Sequence, residues 1–177
     1  MHRKRIIDKI SNVLEATSDS YEQSLTEMLD KASRIFISGA GRSGLVAKFF
    51  AMRLMHAGYN VYIVGEIVTP SIQKGDLFIV ITGSGETETM IAFCKRAQKQ
   101  GASIVTVSTK KDSTIGNMSD LVIQVGNEDS YAKVVGMPMG TTFELSTLFF
   151  LEAIVSHIIH EKGIAEEVMR GVHANLE

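Results

Sequence analysis

Five short, nearly continuous apolar runs, three of them followed by a stretch of helical periodicity, constrain this chain more than any other feature. The runs are Arg34–Ser38, Val61–Val64, Leu77–Thr82, Ser103–Ser108 and Leu121–Val125. The helical stretches are about Ser43–Ala57, Glu86–Gln100 and Thr142–His160. A strand with one wet face alternates apolar and polar residues. A strand that is apolar almost throughout is covered on both faces, which predicts a parallel sheet between two layers of helices. The connection between the second and third runs, around Pro70, carries no clear helix.

With 177 residues and 45% hydrophobic composition, the chain is long enough to bury one core and has no break that would mark a second. Residues 1–32 read as an N-terminal helical segment, one or two amphipathic helices, and residues 33–177 as a single α/β domain. Ile6, Ile7, Ile10, Val13 and Leu14 fall three and four apart and form a stripe that needs the domain or a second subunit to pack on. The net charge of −2 argues against nucleic acid or a membrane surface as partner. Cys94 is the only cysteine, which excludes an internal disulfide and suits a reducing compartment. The N-terminus lacks signal-peptide form, and the apolar stretches read as too short or too interrupted to span a bilayer, so the cytoplasm is expected.

Two turns stand out. The first strand ends in Gly39-Ala40-Gly41-Arg42-Ser43-Gly44, and the third in Thr82-Gly83-Ser84-Gly85-Glu86-Thr87. Each lies where a parallel strand passes into a helix. Glycines there let backbone N–H groups approach an anion, and the helix N-terminus adds partial positive charge. Ser43, Thr82, Ser84 and Thr87 bring hydroxyl donors, although Glu86 and these hydroxyls also suit helix capping. In a flavodoxin-like sheet of order 2-1-3-4-5, strands one and three are neighbours and the chain reverses direction between them. Both turns then face one crevice, the usual ligand site of an open α/β sheet. A third suspect is the glycine-containing loop 126–140, which is long for a connection.

A rival reading is dinucleotide binding. Residues 39–44 match G-x-G-x-x-G, and Glu66 follows the second strand where a ribose-binding acid would stand. It leaves the hydroxyl-rich second turn unused and provides no substrate domain.

The segments SGAGRSG, KFFAMRLMHAGYNVYIVGE, TGSGET, PMGTTFE and the terminal HANLE, in this order and spacing from Arg34 to Glu177, resemble the 6-phospho-3-hexuloisomerases. TGSGET alone is similar to the broader sugar-isomerase (SIS) domain, whose members bind phosphosugars. The resemblance implies an SIS domain over 33–177 and interconversion of D-arabino-hex-3-ulose 6-phosphate with D-fructose 6-phosphate. That is the second step of formaldehyde fixation by the ribulose monophosphate route. It also implies no cofactor, no metal, and an oligomer, commonly a homotetramer with sites near subunit interfaces.

Moving a ketone from C3 to C2 needs a base for the C2 proton, return of a proton to C3, and donors for the enediolate oxygens. The resemblance assigns the base to Glu144 of PMGTTFE. The expected geometry agrees, because the loop 126–140 delivers the next helix with its first turn at the crevice. Glu152 would lie ~12 Å further along that helix. His173 of HANLE is the second catalytic candidate, since related arabinose 5-phosphate isomerases place a histidine similarly. The long helix leads away from the crevice, so His173 is expected to complete a neighbouring subunit's site. Those arabinose enzymes carry a glutamate where this chain has Val135, so their catalytic layout does not transfer. The substrate-binding set is Ser43, Thr82, Gly83, Ser84, Gly85, Glu86 and Thr87. Arg42 could assist the phosphate or the enediolate, or be solvated. His157, His160 and Glu161 read as the solvent-facing end of a helix rather than metal ligands, and Met52, Leu54 and Met55 as core or interface. A phosphosugar-sensing module is the non-catalytic alternative, but such regulators carry a DNA-binding domain for which some 30 residues before the first strand leave too little chain.

Overall fold

In a computed structural model that describes residues 1–176, the strands are β1 (Ile35–Gly39), β2 (Val61–Ile63), β3 (Leu77–Ile81), β4 (Ser103–Ser108) and β5 (Leu121–Gln124). They form one parallel sheet in the order β2-β1-β3-β4-β5. The helices are α1 (His2–Glu15), α2 (Ser20–Lys31), α3 (Arg42–His56), α4 (Glu88–Lys99), α5 (Thr141–Lys162) and α6 (Glu166–Gly171). Successive strand residues point to opposite faces, and the core divides accordingly. Ile35, Ile37, Leu77, Ile79, Ile81, Val105 and Val107 face α2, α3 and α5. Phe36, Phe78, Val80 and Ile104 face α4.

The N-terminal segment forms two helices, and it lies against the domain. α1 and α2 both pack on α5, with Val13, Leu25 and Leu29 fully buried. The α1 stripe is narrower than its spacing suggests, because Ile7 is 64% exposed. This packing accounts for α5. By length and composition it could cross a membrane, but Phe143, Phe150, Leu151, Ile154, Val155 and Ile158 are all buried in the core. A helix enclosed on several sides is apolar on several sides.

The two faces of the sheet are unequally covered. The missing crossover helix between β2 and β3 leaves α4 as the main helix on its side, and an apolar hollow of about 190 Å³ remains among Phe36, Val64, Phe78 and Phe93. Element boundaries differ slightly from the sequence reading. α4 starts at Glu88 because Thr87 is its extended N-cap residue, and α6 ends at Gly171, so His173 lies just beyond it.

Candidate active site

The parallel register aligns Gly39 of β1 with Ile81 of β3, so both glycine turns leave the sheet side by side. The first turn is shaped by close packing. A Cβ on Gly44 would stand 2.7 Å from the Gly39 carbonyl oxygen, and one on Gly39 would stand 2.8 Å from Ser43. Strand end and helix start touch here, and only glycine at both positions permits it. Ser43 falls in the first turn of α3 and is half-buried.

The second turn is braced from within. Thr82 is buried, and its Oγ1 accepts the Gly85 N–H at 3.2 Å. Ser84 is exposed, and its Oγ accepts the Glu86 N–H at 3.2 Å. The Gly83 carbonyl accepts from the hydroxyls of Ser108 and Thr109 at the end of β4, while Gly85 lies against Ser113. Thr87 caps α4 without a side-chain bond of its own. Glu86 turns to the neighbouring loop, accepting the Thr114 N–H at 2.9 Å. Hydrogen bonds from Thr114, first its hydroxyl and then its backbone, hold the Glu86 carboxyl below its ordinary value.

α5 joins the two turns. Phe143 stacks its ring edge 3.4 Å from the position of a Gly83 Cβ, and Glu144 pairs with Arg42, whose Nε lies 3.0 Å from Oε1 and 2.9 Å from Oε2. Arg42 Nη2 also donates to the Met139 carbonyl. Gly140, at φ 85°, makes this approach possible: a Cβ there would collide with Arg42 Nη2 and stand 2.5 Å from Glu144 Oε1. The structure places Ser43, Thr82, Gly83, Ser84, Gly85, Glu86 and Thr87 at the C-terminal ends of β1 and β3, with Glu144 in the adjoining first turn of α5; Thr82 and Gly85 are buried there, and Glu86 turns to the loop after β4.

The other acids nearby are engaged elsewhere. Glu66 pairs with Lys48 at 2.7 Å, both side chains more than half exposed. Glu152 pairs with Arg53 at 3.0 Å on the outer flank of α3. His157 faces Glu22 of α2 at 3.9 Å, and His160 is exposed.

His173 is not at this crevice. Its ring stacks on His56 at a centroid distance of 5.4 Å, and His56 ends α3, ~20 Å from that helix's first turn at 1.5 Å per residue. Burial first, then His173 and Arg53, lower the His56 pKa. Glu177, the last residue of the HANLE motif, lies outside the described residues. Sequence reasoning passed over the residues that brace the second turn from the β4 side, Ser108, Thr109, Ser113 and Thr114. The hydroxyl-rich run after β4 was their signal, but without glycine spacing it reads as an ordinary loop.

Residues 28–155 match the SIS domain family. A 3-hexulose-6-phosphate isomerase of Methylomonas aminofaciens is 53% identical over 99% of this chain and 98% of its own. One of Bacillus subtilis is 38% identical over 97% and 95%. The crystal structure of a hypothetical protein from Methanococcus jannaschii, from which a 3-hexulose-6-phosphate isomerase function was inferred, superposes with a TM-score of 0.86 at 35% identity, covering 97% of each chain. The chain belongs to the SIS domain family, among the 3-hexulose-6-phosphate isomerases.

Proposed function

We propose that this phosphosugar isomerase interconverts D-arabino-hex-3-ulose 6-phosphate and D-fructose 6-phosphate through an enediolate, with Glu144 as the base. The observation that carries the reading is the position of Glu144 in the first turn of α5, 19% exposed, between two glycine turns suited to a phosphate. The phosphate would sit on the backbone N–H groups and hydroxyls of Ser43, Thr82, Ser84 and Thr87. Glu144 takes the proton from C2, and the electron pair forms the C2–C3 double bond as charge moves onto O3. Transfer of the O2 proton to O3 and return of the carboxyl proton to C3 leave the ketone at C2. A single carboxylate serves both carbons if they present one face to it. No electrons are exchanged with another molecule. This reaction would serve as the second step of formaldehyde fixation by the ribulose monophosphate route.

His173 would act in a neighbouring subunit's site. Leu45, Phe49 and Met52 form an exposed stripe on α3 that starts beside Arg42 and continues to Met55 beside His56. Two copies packed on this stripe antiparallel about a two-fold axis would bring the His56–His173 end of one over the Arg42–Glu144 end of the other. The stripe supports an oligomer, and a homotetramer is our expectation.

The assay supplies hex-3-ulose 6-phosphate in EDTA and follows fructose 6-phosphate through glucose 6-phosphate to NADPH. Turnover that vanishes in Glu144→Gln with substrate binding intact supports the reading. Absence of wild-type turnover beside clear phosphosugar binding would overturn it and favour another isomerase substrate or a sensing module. Mixing Glu144→Gln and His173→Ala subunits tests the shared site: activity should reappear in the mixed oligomer, and no recovery would place His173 in cis or outside catalysis.

A further inference from the structure

The three groups that meet at the start of α5 are Glu144, Arg42 and the Met139 carbonyl, and only the first has a role in the proton transfer described above. An arginine in a glycine turn beside a phosphate cradle could serve the phosphate or the enediolate, or be solvated. Arg42 turns toward the first turn of α5. Its Nε is nearly equidistant from both Glu144 oxygens, and Nη2 is anchored on Met139. Nη1 makes no hydrogen bond among the described residues, and the side chain is 52% exposed. The contact spans 102 positions in sequence and depends on the absence of a side chain at Gly140.

We propose that Arg42 is a catalytic residue of the isomerisation, which orients the Glu144 carboxylate through Nε and stabilises the enediolate oxygens through Nη1. This inference rests on Glu144 being the base. Proton removal from C2 places negative charge on O3, two bonds from the carbon that gives up its proton to the carboxylate. A guanidinium fixed 3 Å from that carboxylate is within reach of this oxygen. It is permanently charged, so it stabilises the anion without competing for the proton. The Met139 and Glu144 anchors hold it in place before substrate arrives, which is the condition for a donor to act mainly on the transition state.

The test uses the full-length protein with hex-3-ulose 6-phosphate. Arg42→Ala should lower kcat by about 10²–10³-fold with KM changed less than about threefold, and added guanidinium should restore part of the rate. Arg42→Lys keeps the charge but not the fork and should recover less than a tenth of wild-type kcat. Exchange of the C3 proton of fructose 6-phosphate with solvent should slow in parallel, because it passes through the same enediolate. A raised KM at unchanged kcat would make Arg42 a phosphate ligand and overturn the proposal, as would wild-type turnover in Arg42→Ala. Glu144→Gln measured alongside separates the two readings. If it is inactive while Arg42→Ala is not, only the role of Arg42 fails; if it keeps full activity, the base assignment fails first.

Discussion

The two glycine turns look alike as sequence and differ in what holds them. The turn 39–44 is held by backbone packing, Gly39 against Gly44, and sends its one charged side chain outward to Glu144 on a helix 102 positions away. The turn 82–87 is held by its own hydroxyls and by β4, and its charged residue, Glu86, turns away to Thr114. In the proposed reaction the first turn supplies a partner for the chemistry and the second a cradle for the phosphate. The internal hydrogen bonds hold the backbone of the second turn in one conformation before an anion binds.

This contrast can be broken experimentally. Removing the acid that the first turn holds has the largest expected effect: kcat of Glu144→Gln should fall by about 10³-fold, within the range for general acid–base catalysis, with the substrate dissociation constant nearly unchanged in calorimetry. Gly44→Ala forces a Cβ against the Gly39 carbonyl and should destabilise the fold by about 2 kcal/mol, read as a drop in denaturant midpoint at constant m-value. In the second turn, Ser84→Ala or Thr87→Ala should raise KM about tenfold and leave kcat within about twofold, the signature of a lost uniform binding contact. A kcat loss there instead would erase the distinction between cradle and catalytic turn.

The smallest effect concerns the remote end of α3. The His56 pKa is lowered in the folded protein, so the unfolded chain binds the proton more readily below the ordinary histidine value of 6.5. Stability from this site is therefore present above that pH and declines as pH falls below it. Thermal midpoints should drop slightly on acidification from neutrality, and His56→Gln should flatten that dependence.

Much of the architecture was legible because its causes are local. Apolar runs covered on both faces demanded a parallel sheet, and glycine at strand ends marked the turns. The boundaries shifted by a residue or two where a cap such as Thr87 ended the regular backbone. Glu144 was legible only through its motif and the expected direction of a loop. Its grip on Arg42 was not, because a turn arginine has the same local pattern whether it meets water, phosphate or a carboxylate.

By itself, then, the sequence determined the element order, the two turns and the family, since periodicity and motif spacing act over a few residues. Only tertiary structure decided which charges meet. It paired Arg42 with Glu144, Glu66 with Lys48 and Glu152 with Arg53, and it stacked His173 on His56 away from its own crevice. Such pairings depend on distances set by how α3, α5 and the tail pack, and no local pattern in the chain encodes a distance across a hundred residues.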